Sequence, residues 1–421
     1  MLKGGQYMLR KYDYIIIGSG AGGATLAREL CRKGKDVLII EQGKNIFPLP
    51  FVIEKSLEGT DIFTAYGAGG ATVLMNANGV RCLEKELAGF GLALEQEFTE
   101  LEAELKLAPI HESLLSENGS LKLLQLCKAA GIRMERMPKF IDHTKCIRCG
   151  NCSLGCPTGA KWTALEFLHD ATAHGAEVVY DTKALKVIVD RGKAKGIETL
   201  GPNGRVDYYG DAVILSAGGI KTPVILMNSG IDEAGKSLFI DVCELWYGVT
   251  PDIDISEEPP MQLINTEFLE SQGFMHSIGA MKNKEKLRYY FRERADFYMN
   301  SPHIAVIVKI IDDAKGRIYP NETISKGITA GDRQRLDQGG EAAREFLKVA
   351  GARPETIVKR EGLYGGHNGA TAAIGVVVDN NLQTKIDNLF VCDASVLPRS
   401  PGLPPVLTIM AIARWFAKTL S

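Results

Sequence analysis

Regular patterning begins at Tyr12–Ile17, an aromatic and β-branched run with neither helical nor alternating period, which predicts a buried parallel strand. Six small residues, Gly18-Ser19-Gly20-Ala21-Gly22-Gly23, follow at once. Ala24–Lys33 has helical composition, and Lys35–Ile40 reads as a second strand ending in Glu41. Strand, glycine turn and helix return in 212–231 (AVILSAGGIKTPVILMNSGI). Residues 389–398 (LFVCDASVLP) predict a strand running into Asp393, and 400–418 a turn followed by an apolar helix. Between these, 86–140 place apolar positions at helical spacing among many charges, and 303–311 predict a strand. Gln334–Ala350 predicts a helix that ends on Gly351 as its carboxy-terminal cap. The charged, aromatic stretch 283–296 reads as a solvated amphipathic helix.

The amino-terminal order of strand, GxGxxG, helix, strand and acid is that of a dinucleotide-binding βαβ unit. Gly18 permits the tight turn, Gly20 lets a pyrophosphate touch backbone, and Gly23 lets helix and strand pack closely. The helix start offers free N–H groups and a positive dipole end to phosphates. Glu41 stands where a carboxylate accepts hydrogen bonds from ribose hydroxyls. This pattern predicts an adenine dinucleotide without separating NAD from FAD.

A second motif is denser. Cys146, Cys149, Cys152 and Cys156, followed by Pro157, have the Cys-x2-Cys-x2-Cys-x3-Cys-Pro spacing of a bacterial-type iron–sulfur ligand run. Zinc sites more often use two separated hooks, so zinc is the alternative and a [4Fe–4S] cluster the expectation. In two-cluster ferredoxins the fourth cysteine of such a run serves the other cluster, so here either Cys156 or a remote thiol closes the set. Cys31, Cys82, Cys127, Cys243 and Cys392 are scattered and read as small buried hydrophobes.

Composition narrows the class. A chain of 421 residues allows two or three domains, and a formal net charge of −2 removes any electrostatic case for nucleic acid. Nine cysteines with four in metal spacing suit a reducing compartment. With no apolar leader and no run near the ~18 apolar residues of a membrane span, the expectation is a cytoplasmic protein.

In their order, 212–231, 366–379 (GHNGATAAIGVVVD), 389–398 and 400–418 resemble the FAD-dependent glucose–methanol–choline (GMC) oxidoreductases. The stretch 67–79, with Gly69 and Gly70, resembles the family's glycine-rich segment over the flavin, and 156–185 its approach to the central helix and strand. The resemblance implies an extended FAD lying between a nucleotide domain and a substrate domain. It implies FAD contacts at Ala217 and Gly218, and at Asp393 and Ala394 near the ribityl and pyrophosphate part. A helix starting near Pro405 would aim its dipole at the flavin pyrimidine ring. It places His367 at the catalytic position, where a histidine suits proton removal from an alcohol. The family's second histidine or asparagine is replaced by Gly402-Leu403-Pro404-Pro405, which leaves Asn368, Tyr364 or a substrate group to supply that hydrogen bond.

The expected fold is α/β: a Rossmann-like FAD-binding domain with a parallel sheet, a smaller α+β substrate domain and an inserted iron–sulfur loop. The expected layout is a discontinuous FAD domain (8–85, 157–232, 362–421), a helical connection (86–140), a cluster loop (141–157) and a substrate domain (233–361). The expected function is a dehydrogenase exchanging hydride between a small alcohol or carbonyl and FAD. The cluster would pass single electrons to or from a ferredoxin-like or other one-electron carrier docked over Lys145, Arg148 and Lys161. The alternatives are an electron-transfer subunit without its own substrate and a flavoenzyme acting on a C=C or C–H bond.

Overall fold

Short runs that are apolar on both faces are stable only in a sheet covered on both sides. In the computed structural model, which describes residues 10–46, 49–280, 288 and 295–420, the strands Glu177–Val179, Val37–Ile40, Lys11–Ile17 and Gly204–Leu215 lie parallel in that order. Leu389–Val391 joins Gly204–Leu215 in parallel, and the antiparallel pair Lys183–Asp190 and Lys193–Gly201 extends the edge. The helix Ala21–Arg32 packs against both Ala164–Ala173 and Val406–Thr419. Its buried Arg28 pairs with Glu29 and Glu104 and lies 3.4 Å from the centre of the Phe167 ring. That arrangement satisfies a charge which burial alone would penalise.

The second sheet is mostly antiparallel. Its order is Val52–Lys55, Asp61–Thr64, Tyr364–Gly365, Cys243–Val249, His303–Ile310, Phe274–Gly279, Leu263–Asn265 and Glu135–Arg136. The long helix Ala330–Val349 crosses it. Two adjacent glycines allow the contact: a Cβ on Gly339 would stand 2.4 Å from Val308, and one on Gly340 3.0 Å from Trp246. The helix begins earlier than the periodicity indicates because Thr329 and Asp332 form a capping box. Residues 52–64, placed with the nucleotide domain from sequence, contribute two strands to this second sheet. Most of the 283–296 stretch lies outside the described residues. Among the described residues no helix is long and apolar enough to cross a membrane.

Candidate active site

A cavity of about 530 Å³ runs between the two sheets. Its nucleotide end is built by removing side chains. Gly18 has φ +100°, and a Cβ there would stand 2.4 Å from the Ser216 carbonyl oxygen. Cβ atoms on Gly22 and Gly23 would stand 2.1 and 2.0 Å from the Cys392 and Gly18 carbonyl oxygens. Gly20 differs: nothing lies within 4 Å of its Cβ direction, and it lines the cavity at the start of the Ala21–Arg32 helix. This is the open, N–H-rich cradle that a pyrophosphate needs.

Two carboxylates brace the cradle from within. Buried Glu41 accepts from the Ser19 N–H (3.0 Å), the Ser19 hydroxyl (2.7 Å) and the Gly43 N–H (2.9 Å). Burial pushes its carboxyl up, against the pull of those donors. Asp393 accepts from the Gly218 N–H (2.8 Å), the Thr222 hydroxyl (2.6 Å), and the Ser395 N–H (2.8 Å) and hydroxyl (2.5 Å). It thereby ties the second glycine turn to the strand end. Ala217, Gly218, Ala394, Gly70 and Pro405 all line the cavity. Gly23 and Gly69 stand behind the lining, Gly23 packed on Gly18 and Gly69 in a left-handed turn (φ +79°) against Leu165. The helix Val406–Thr419 starts at Pro405, so its positive dipole end meets the cavity.

At the other end stand His367 and Asn368. The His367 side chain is 28 % exposed, enough to be reached from the cavity it lines. Its Nδ1 lies 2.8 Å from Asp241 Oδ2 and 3.1 Å from Lys309 Nζ. Asp241 is buried, and its Oδ1 accepts from the Ser400 hydroxyl (2.6 Å) and the Gly402 N–H (3.2 Å). Burial and the nearby Lys309 hold the His367 imidazolium below its ordinary value, with Asp241 opposing them. Asn368 Oδ1 is buried without a partner, and so is Asn76 Oδ1; both residues line the cavity. Two orphaned acceptors beside a glycine cradle fit a ligand that brings N–H and O–H donors, as FAD does.

Asp241 and Lys309 were invisible to motif reading. Lys309 left one trace, a lone cation in the apolar strand His303–Ile310, which pairs with Cys243–Val249 just after Asp241. The loop with the prolines lines the cavity through Pro404 and Pro405, and supplies the Ser400 and Gly402 bonds to Asp241.

The cysteine loop departs from expectation. Among the described residues no three His, Cys, Asp or Glu side chains stand together as a metal ligand set. Left-handed turns at Arg148 (φ 57°), Gly150 (70°) and Gly155 (99°) redirect the loop, so Cys152 is buried while Cys146, Cys149 and Cys156 are half-buried. The donor chemistry still suits such a group. All nine cysteines are free thiols. Burial pushes the Cys156 thiol up, but donors from Lys161, Thr158 and Ala160 outweigh it and hold the thiol below its ordinary value. Burial raises the Cys152 thiol, while the Lys139 and Lys161 ammonium groups pull it back.

Lys161 is not a surface residue, which removes it from the expected docking face. It is buried, and donates to the Val73 (2.6 Å), Met75 (3.0 Å) and Cys152 (2.9 Å) carbonyls. Lys139, also buried, donates to Asn76 O (2.8 Å), Asn78 Oδ1 (2.5 Å) and Pro260 O (2.7 Å). Arg148 is tied to Ser116 (2.5 Å), and Lys145 lies 3.4 Å from Asp142. Lys161 staples the cysteine loop, through the Cys152 carbonyl, to the segment lining the cavity, and Lys139, just before the loop, holds the same segment at Asn76 and Asn78; Ser153, next to Cys152, reaches that lining itself.

Comparison with known proteins places these features. The two GMC oxidoreductase family models match residues 88–243 and 298–413, and a Rossmann-like NAD(P)-binding model matches 16–48. The chain is 29% identical over 412 residues to an uncharacterized protein of Methanocaldococcus jannaschii, covering 97% of this chain and 100% of that one. It is 28% identical over 481 residues to an uncharacterized GMC-type oxidoreductase of Mycobacterium tuberculosis (95% and 74% covered). It is 22% identical over 505 residues to a long-chain-alcohol oxidase of Arabidopsis thaliana (95% and 65%). The fold is shared with pyridoxine 4-oxidase from Mesorbium loti (TM-score 0.74, 16% identity, 97% and 99% covered) and with Aspergillus oryzae formate oxidase (TM-score 0.75, 14% identity, 97% of each). With both family models matched along most of its length, a glycine cradle for FAD and a histidine at the far end of the same cavity, the chain belongs to the GMC oxidoreductase family.

Proposed function

We propose that this GMC oxidoreductase is a dehydrogenase exchanging a hydride between a small organic alcohol or carbonyl and FAD, with His367 as the base. The observation that carries the reading is the Nδ1 contact of His367 with buried Asp241, 2.8 Å away. An N–H donated to that carboxylate leaves the Nε2 lone pair for the substrate hydroxyl. FAD, when bound, supplies the hydride acceptor. Gly18, Gly20 and Gly218 would receive its phosphates and ribityl chain, and Glu41 and Asp393 would hold those turns in shape. Asn368 Oδ1, buried and unpartnered, is the nearest candidate for the hydrogen bond that Pro404-Pro405 cannot make. Phe51, Phe63 and Tyr364 line the cavity in one run of ring contacts, 4.9 and 5.2 Å between centres.

Cys146, Cys149, Cys152 and Cys156 are proposed to hold a [4Fe–4S] cluster, which would supply a one-electron outlet to an external carrier protein. The spacing, the free thiols, the two buried lysines and the position of Ser153 on the cavity wall support this. A second reading, direct use of dioxygen, is favoured by the oxidases among the relatives and fold neighbours.

One set of measurements separates them. Anaerobically purified protein is assayed for iron, sulfide and zinc, then mixed with a panel of alcohols while the visible flavin band is followed. Bleaching by an alcohol, slow reoxidation in air and fast reoxidation by a ferredoxin are expected. Zinc in place of iron and sulfide, with fast reoxidation in air, would establish the oxidase instead. No bleaching by any alcohol, with carrier reduction intact, would leave an electron-transfer subunit.

A further inference from the structure

Three lysines line the cavity wall. Lys183 and Lys221 both pair with Glu322, at 2.5 and 2.7 Å, and Lys221 also lies 3.8 Å from Glu54, so two carboxylates balance their charges. Lys309 is different. It is buried, no ion pair joins it to a carboxylate among the described residues, and its hydrogen-bond partner is the His367 ring at 3.1 Å. A buried ammonium without a counter-ion is costly, and an otherwise apolar strand gains nothing from it in folding.

The geometry at Nδ1 is a competition. Nδ1 donates to Asp241 only while it carries a proton, and accepts from Lys309 only while it does not. The first state leaves Nε2 a lone pair; the second leaves it an N–H. Other titratable groups near this atom are accounted for. Burial raises the thiols of Cys243 and Cys82 to about 12, so both stay uncharged. Asp312 is paired with Lys326 at 2.8 Å, and Arg360 with Asp61 at 2.9 Å behind Tyr364. Asp241 and Lys309 are the two opposed charges that act on the ring.

Resting on the reading of His367 as the base, we propose that Lys309 is its positioning residue: the ammonium opposes Asp241 at Nδ1, so the ring stays uncharged while Asp241 fixes the tautomer that offers Nε2 to substrate. The proton taken from the substrate hydroxyl then makes a cation beside a cation. That repulsion favours release of the same proton to solvent before the next turnover.

The test is a pH titration of the histidine side chains in the holoenzyme by ¹⁵N NMR, with the His367 signal assigned by its loss in His367→Gln. Lys309→Met should raise the His367 midpoint by roughly one pH unit, and Asp241→Asn should lower it. Lys309→Arg, which keeps the charge, should leave it in place. A midpoint unmoved or lowered in Lys309→Met overturns the proposal. If Lys309→Met does not fold, Lys309→Gln carries the test, and a midpoint unmoved or lowered there overturns it. The acid limb of kcat/KM reads the base role separately. If the NMR midpoint moves and that limb does not, the pairing stands and the base reading falls.

Discussion

The two ends of the cavity are built by opposite means. The nucleotide end is marked by one local glycine block packed on two distant strand ends, and is made by leaving side chains out: Gly18, Gly22 and Gly23 sit where any Cβ would strike a carbonyl oxygen. The substrate end is assembled from distant segments and made by putting charges in. Asp241 precedes one strand, Lys309 ends another, and His367 follows a third, with Ser400 reaching in from the last turn. An end that binds a fixed cofactor leaves a motif, because the turn at its centre is one continuous run of small residues even though distant strand ends complete it. An end that sets the charge of one imidazole depends on sheet register, and register is not a motif.

That contrast can be broken most severely at the cradle. Gly18→Ala puts a methyl against Ser216 in a left-handed conformation, and should cost about 1–3 kcal/mol of stability together with loss of bound flavin. Thermal melting and the flavin-to-protein absorbance ratio read both. A variant that retains full flavin would mean that the turn is not the binding element.

Next in size is the cysteine loop. Cys152→Ser should lose iron and sulfide and the reduction of an external one-electron acceptor, while alcohol-driven bleaching of the flavin persists. Loss of bleaching as well would show that the loop serves the substrate end directly.

The substrate sheet can be disturbed without touching the cradle. Gly339→Ala drives a methyl into Val308, the residue directly before Lys309 in its strand. It should destabilise by about 1–3 kcal/mol and slow substrate-driven flavin reduction, with flavin content unchanged. Equal loss of flavin would erase the distinction between the two ends.

The smallest effect is in pH. His367 is held below its ordinary value of 6.5 by burial and Lys309, so the ring is uncharged and able to accept a proton down to a pH below that value. The acid limb of kcat/KM for alcohol oxidation should therefore lie under 6.5 and activity should fall only below it. A limb above that value would mean that Asp241 dominates.

Much of the molecule was legible beforehand, and the physical reason is consistent. Tyr12–Ile17, the glycine block and Glu41 could be read because the motif that marks them is one continuous stretch of chain, even though Tyr12–Ile17 pairs with Gly204–Leu215 and Gly22 packs on Cys392. Gly351, in a left-handed conformation after Val349, follows from helix-end chemistry. The family's local sequence singled out His367 and Asn368, and both line the cavity. Residues 52–64 were misplaced because their partner, Tyr364–Gly365, lies some three hundred positions away, where no local pattern reports pairing. Lys161 read as surface because lysine usually is. Its burial follows from carbonyls at 73, 75 and 152 that only tertiary structure brings to one point.

The account turns on His367 as the group that takes the substrate proton. The most direct measurement is anaerobic rapid mixing of the holoenzyme with an alcohol that bleaches its flavin, comparing the native protein with His367→Gln at matched flavin content. A fall of roughly 10²–10⁴-fold in the bleaching rate is predicted, the range expected when a general base is removed. An unchanged rate in a fully flavinated His367→Gln protein would contradict the account.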